Sequence, residues 1–145
     1  MSLFNSIVMG YPTGLFIDAT KGIPTDNNIP GSLFVQNTII AGCPVPVSYS
    51  LGTNPNVPNT PNTTATITAW FNSATYGNSI LTNNTDAGLI APFNYNNPDF
   101  NPASGSAAAA GASFTHPKVA NGFTPVAYKG ACAVEDTWWK VWTKF

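Results

Sequence analysis

Apolar residues fall in short runs along this chain, separated by Gly, Pro and Asn. The runs Leu3-Phe4 and Ile7-Val8-Met9 are followed by a glycine, then by a further apolar position at Leu15. The same order returns downstream as Phe34-Val35, Ile39-Ile40-Ala41, a glycine and Val47. Aligning them pairs Asn5-Ser6-Ile7-Val8-Met9-Gly10 with Asn37-Thr38-Ile39-Ile40-Ala41-Gly42, an offset of 32 residues. A weaker third copy, Asn72-Ser73-Ala74-Thr75-Tyr76-Gly77, follows after 35 more. Runs this short predict strands, because a helix needs a longer amphipathic stretch. A strand of three residues cannot bury its apolar face alone, and self-similarity at a period of 20 to 50 residues marks stacked architectures. The repeat therefore predicts Asn5 lying over Asn37 in a stacked amide ladder, with Ile7 and Ile39 both pointing inward.

Between and beyond the repeats the pattern changes. Residues 52–64 hold three prolines among Asn and Thr, which exclude ladder pairing and predict a loop. Thr66 to Phe71 alternates Thr with apolar residues and predicts a strand. A short strand is expected around Ile80-Leu81, and Pro92 to Pro102 is rich in turn residues. The Ala-rich stretch 103–112 has room for one helical turn between Gly105 and Gly111. Aromatic residues crowd the end, with Phe123, Tyr128, Trp138, Trp139, Trp142 and Phe145.

Composition sharpens this picture. The 145 residues are enough for one domain with a core. Charged residues make up 8 % of the chain, against a usual share of about 25 %, and arginine is absent. Asn, Thr, Ser and backbone must then supply the polar surface. Net charge is −1, and five scattered lysines make no basic patch, so no nucleic-acid partner is expected. Apolar runs fall far short of the ~20 residues of a spanning helix, so no membrane insertion is expected. The start has no basic region of the kind that opens a secretory signal, and reads as an internal piece of a longer chain with an added start, or as a chain trimmed for expression. Low charge with abundant Asn and Thr suits an extracellular or cell-surface location. Cys43 and Cys132 are left open between one long-range disulfide and two buried thiols.

The segment Gly122-Phe123-Thr124-Pro125-Val126-Ala127-Tyr128-Lys129-Gly130-Ala131, followed by Trp139-Lys140-Val141-Trp142-Thr143-Lys144-Phe145, resembles the end of a family of secreted Bacteroidetes surface proteins. That family looks like right-handed parallel β-helices closed by F-x-x-V-x-Y-R-G-A-F and W-x-x-G-W-T-N-F. Residues 98–114 are similar to the P-x-x-S-P-A-x-x-x-G passage that often ends β-helices. This chain departs from the pattern at Lys129, Cys132, Val141 and Lys144, which stand for Arg, Phe, Gly and Asn. The resemblance implies an all-β fold: the last coils of a short right-handed parallel β-solenoid, with a Pro/Asn-rich loop and an aromatic C-terminal cap. Within a single domain 1–145, coils would fill 1–91 around the loop 52–64, and 92–145 would form an irregular cap. Asn5, Asn37, Trp142 and Phe145 are then expected as structural residues, with Trp142 and Phe145 buried against the last coil. The resemblance implies location and fold, and no activity.

Candidate chemistry is sparse. Among the six acids only Glu135 and Asp136 are adjacent, and neighbours in an extended segment face opposite ways. No two acids are placed for glycoside hydrolysis. His116, the one histidine, sits before Pro117 with no nucleophile motif such as G-x-S-x-G. Cys43 and Cys132 lack any sign of activation. The sequence also lacks a P-loop, a dinucleotide fingerprint and CxxC spacing. Asp18, Asp26, Asn27 and Asn28 offer calcium-like oxygen ligands, but Asx turns explain them better. No catalytic residue, metal or cofactor is expected.

Flat Trp and Tyr faces stack on sugar rings. Tyr128, Trp138 and Trp139 are therefore the candidate ligand-binding residues, in competition with a purely capping role. The expected function is a non-catalytic extracellular structural or adhesive module. The alternatives are a carbohydrate-binding module using exposed Trp and Tyr, or an inactive fragment of a polysaccharide-degrading β-helix enzyme. The partners expected are a glycan, a second copy, or upstream coils meeting the open edge from Leu3 to Met9.

Overall fold

The computed structural model describes residues 1–20, 31–51 and 62–141. The first repeat forms β1 (Ser2–Phe4), β2 (Ile7–Met9) and β3 (Thr13–Ala19). The second forms β4 (Phe34–Gln36), β5 (Ile39–Ala41) and β6 (Val45–Leu51). The strands pair in parallel, β1 on β4, β2 on β5 and β3 on β6, with Leu3 opposite Val35, Ile7 opposite Ile39 and Leu15 opposite Val47. All three registers share the 32-residue offset.

The corners between strands need left-handed backbone. Asn5 and Asn37 sit at φ 51° and 53°, and Gly10 and Gly42 at 74° and 62°. Asn tolerates this region because its short side chain bonds locally, and Gly has no Cβ to clash. These paired corners explain why Asn and Gly recur at the same places in both repeats.

Beyond the second repeat the expected β-solenoid does not form. The described strands make four separate small sheets, of orders β1-β4, β2-β5-β7, β3-β6 and β8-β9. Only the middle sheet gains a third strand, β7 (Ser79–Leu81), which pairs with Ile39–Ala41 at an offset of 40 residues. The third position in the corner column is Gly77, since Asn37 N donates to Tyr76 O at 2.7 Å. Asn72, the expected third copy, instead ends a helix.

That helix, α1 (Thr64–Phe71), replaces the strand expected at Thr66–Phe71 and packs against β6. Alternation of Thr with apolar residues disguised it. A capping box starts it: Thr63 Oγ1 accepts from Thr66 N at 3.2 Å, and Thr66 Oγ1 accepts from Thr63 N at 2.8 Å. Ile67 and Phe71, four apart, then share the face that enters the core. The last two described strands, β8 (Leu89–Ala91) and β9 (Asp99–Pro102), pair antiparallel, which a parallel coil would not contain. The Ala-rich stretch forms turns.

Two apolar clusters lie on either side of the middle sheet. Val8, Ile40 and Ile80 face the larger one, with Leu15, Ile17, Val35, Val47, Ile67 and Phe71. Ile7, Ile39, Met9, Ala41 and Leu81 face the smaller one, with Ala87. Burial on both faces accounts for the unbroken run Ile39-Ile40-Ala41, as in strands covered on both sides. Where α1 meets this sheet, Asn78 replaces missing ladder partners. Its Oδ1 accepts from Thr38 N at 2.9 Å, and its Nδ2 donates to Val35 O at 2.8 Å and Phe71 O at 3.1 Å.

No Asn5–Asn37 amide ladder forms. Asn5 Nδ2 donates to Ser113 O at 3.0 Å and Asn5 Oδ1 accepts from Ser113 N at 2.9 Å. Asn5 O also accepts from Gly130 N at 2.7 Å. The C-terminal segment is thereby strapped along the first repeat. Trp142, Phe145 and the Asp26–Asn28 turn, like most of the Pro/Asn-rich loop, lie outside the described residues.

Candidate functional site

The strap and the β8–β9 pair do not close fully over the smaller cluster. They leave a cleft of about 530 Å³. β2 supplies one wall through Ile7 and Met9, and the β8–β9 region supplies Leu89, Phe93 and Phe100. A 3-10 turn, Trp138–Val141, brings both Trp138 and Trp139 to the other side. Tyr11, just past the Gly10 corner, stands at the rim.

The two tryptophans differ in role. Trp139 is 4 % exposed, its ring edge-on to Phe100 with centroids 5.1 Å apart. Its Nε1 donates to Asn101 Oδ1 at 3.4 Å, and buried Asn101 Nδ2 donates to Asp136 O at 2.8 Å. Asp136 fixes the start of the turn, Oδ1 accepting from Thr137 N at 2.9 Å. Lys140 Nζ sits 5.2 Å over the Trp139 ring. Trp139 thus anchors the turn, and Trp138 is presented at 49 % exposure. Tyr11 is 63 % exposed and Phe93 41 %. Tyr128 is half-buried and does not line the cleft.

Of the three residues singled out in the sequence, Trp138 and Trp139 line the cleft and Tyr128 does not, while Tyr11, Phe93 and Phe100 line it without having been expected there. Their only signal was an aromatic beside a turn residue, as in Gly10-Tyr11-Pro12 and Pro92-Phe93-Asn94.

The remaining candidates are structurally engaged. His116 packs at a tilt against Phe4 and Phe34, centroids 4.9 and 4.6 Å away, and its Nδ1 accepts from Lys118 N at 3.2 Å. Cys43 and Cys132 are buried free thiols. Burial pushes the Cys132 thiol up, Asp136 and Asp99 push it further, and a hydrogen bond with Trp138 opposes them. A thiol held protonated is a poor nucleophile. Asp18 Oδ1 accepts from Thr20 N at 2.8 Å, the Asx turn expected there. Among the described residues no three His, Cys, Asp or Glu side chains come together as a metal site.

Lys129 is buried, and burial lowers its ammonium below the ordinary lysine range. Its Nζ donates to Gly77 O at 3.4 Å, with Gly111 alongside, and neither glycine lines the cleft. Lys129 itself lines the cleft, while its Nζ, held by Gly77 O, struts the strap. Among the described residues no carboxylate lines the cleft and Lys129 is the one charged side chain there, so its surface is mainly apolar. Such a site suits a flat, uncharged, partly apolar ligand. No protein-family model, curated protein or solved structure matches the chain.

Proposed function

We propose that this chain is a non-catalytic, extracellular adhesive module that holds a neutral glycan in the aromatic cleft. The observation that carries this reading is the convergence of three exposed aromatic side chains, Tyr11, Phe93 and Trp138, from distant parts of the chain. Exposing such rings costs solvation, and pyranose C–H faces stack on them. Lys129 lines the cleft, but its Nζ is engaged by Gly77 O, and among the described residues no carboxylate lies there, which supports a neutral sugar over an acidic one. A glycan array probed with the purified chain tests this. Trp138→Ala is expected to abolish retained neutral glycans while leaving the melting temperature within a few degrees. Glycan binding unchanged by Trp138→Ala, or confined to acidic glycans, refutes the reading.

A further inference from the structure

The cleft uses the side chains of β2, but the backbone of the first repeat carries separate information. In a parallel ladder, alternate residues bond to one neighbour and the others face away. Ile39 N donates to Ser6 O and Gly10 N donates to Ala41 O, so Ser6, Val8 and Gly10 face β5. Ile7 and Met9 then face outward. Val45 N donates to Pro12 O, which turns Gly14, Phe16 and Asp18 toward β6 and leaves Thr13, Leu15, Ile17 and Ala19 outward. Phe34 N donates to Met1 O, which turns Ser2 outward on β1. β1, β2 and β3 are each the edge strand of their sheet. Among the described residues none of these outward groups meets a backbone partner.

Edge strands are normally guarded by lysine, proline or an inward charge. β2 and β3 hold no lysine and no proline, and their one charge, Asp18, lies near the far end of β3. Phe16, 54 % exposed, stands in the middle of that strand.

What covers such an edge is visible within the chain itself. β4, β5 and β6 have equivalent edges, and β1, β2 and β3 cover all three in one common register. The surface presented by the first repeat reproduces the surface on which the first repeat itself sits. We propose that the outer edges of β1, β2 and β3 are a strand-addition surface for an extended segment of a partner protein carrying this chain's own pattern, Asn-(Ser/Thr)-Ile-(Val/Ile)-x-Gly followed by a second strand. Main-chain hydrogen bonds to Ile7, Met9, Thr13, Leu15 and Ile17 supply the affinity. Alternate apolar side chains of the segment continue the two clusters, and its Asn and Gly occupy the left-handed corners.

The probe is a synthetic peptide with the sequence of residues 5–19, added to the full chain and followed by amide hydrogen exchange and calorimetry. It is expected to slow exchange at Ile7, Met9, Thr13, Leu15 and Ile17 at least tenfold. N-methylation of the peptide at its Val8, Gly14 and Phe16 positions removes the donors that face the protein, and should weaken binding at least tenfold. N-methylation at its Ile7 and Leu15 positions should change affinity less than twofold. On the protein, Thr13→Pro removes an outward N–H without touching the ladder to β6, and should weaken the peptide with the melting temperature kept. Trp138→Ala should not affect the peptide, which separates this surface from the glycan reading. Three results overturn the proposal: no peptide binding, equal sensitivity to both N-methylation patterns, or a symmetric dimer of the chain that occupies these edges and excludes the peptide. A second copy has its own patterned segments already paired, so it can meet these edges only with its own edge strands.

Discussion

Asn78→Ala removes one amide and strands three main-chain groups. Thr38 N–H, Val35 C=O and Phe71 C=O all belong to fully buried residues, so bulk water cannot take the place of Asn78. At about 1 kcal/mol per lost hydrogen bond the expected cost is about 3 kcal/mol. For a chain of this length that is a fall in melting temperature of about 6 to 12 °C. The assay is urea denaturation with the slope held common to both proteins. A loss below about 1 kcal/mol would mean that a water fills the vacated space and bonds the three groups, and the bridging role given to Asn78 would be wrong. Asn78→Asp adds a test of sign. The carboxylate still accepts from Thr38 N, but its second oxygen meets two carbonyls, which raises its folded-state pKa above the unfolded value of about 3.9. The folded variant then binds more protons than the unfolded one. Its stability should therefore be highest in acid and fall as pH rises from about 4 through the raised value, a slope absent from the parent.

Trp139→Ala should cost about 3 to 5 kcal/mol, because it empties a buried aromatic site, whereas half-exposed Trp138→Ala should cost under about 1 kcal/mol by denaturant titration. Gly42→Ala should destabilise more than Gly105→Ala: both have positive φ, but a Cβ at Gly42 would lie 2.7 Å from Asn84 N, and at Gly105 it meets nothing within 4 Å. Paired thermal melts measure the difference, and equal losses would show that the corner is not crowded. Lys129 carries a lowered folded-state pKa, so the unfolded chain binds more protons and stability should rise with pH from the lowered value to about 10.4; Lys129→Met should remove that rise. Cys132 should react with iodoacetamide at pH 8 more slowly in the native chain than in urea, and equal rates would contradict the raised thiol pKa.

The paired repeats were legible because burial leaves a mark in each residue. Ile7 opposite Ile39 follows from the shared 32-residue offset, and the Asn and Gly corners follow from the left-handed backbone they allow. The solenoid extrapolated from them failed at α1. Thr64–Phe71 alternates like a strand, and only the Thr63–Thr66 box and the Ile67–Phe71 spacing betray a helix. Local capping and tertiary burial overrode the β tendency of Thr and Ile. The shift of the third strand from the expected offset to 40 residues was equally hidden, since Ser79-Ile80-Leu81 lacks the preceding Asn-(Ser/Thr) pair. At the cleft, Trp138 and Trp139 were visible by their rarity, but nothing in sequence separated presented Trp138 from anchoring Trp139. That difference depends on Phe100 and Asn101, which pairing with β8 brings under the turn.

The double hydrogen bond between Asn5 and Ser113 also sets an order of events as the chain is made. Asn5 leaves the ribosome well before its side-chain partners, which follow 108 residues later. Closing that loop costs about 1 kcal/mol more entropy than closing the 32-residue loops of the paired strands, on the logarithmic scaling of loop closure. Stacking of the first repeat on the second is therefore the early step, and the strap docks late. Until it docks, Asn5 holds a left-handed corner without its side-chain anchors, and the smaller cluster lies open along Ile7 and Met9. Refolding followed residue by residue should show Ile39–Ala41 protected before Ser113 and Gly130. A synthesis arrested short of Ser113 should leave a species that is already paired at its core and still adhesive along one flank, the state a chaperone would have to recognise.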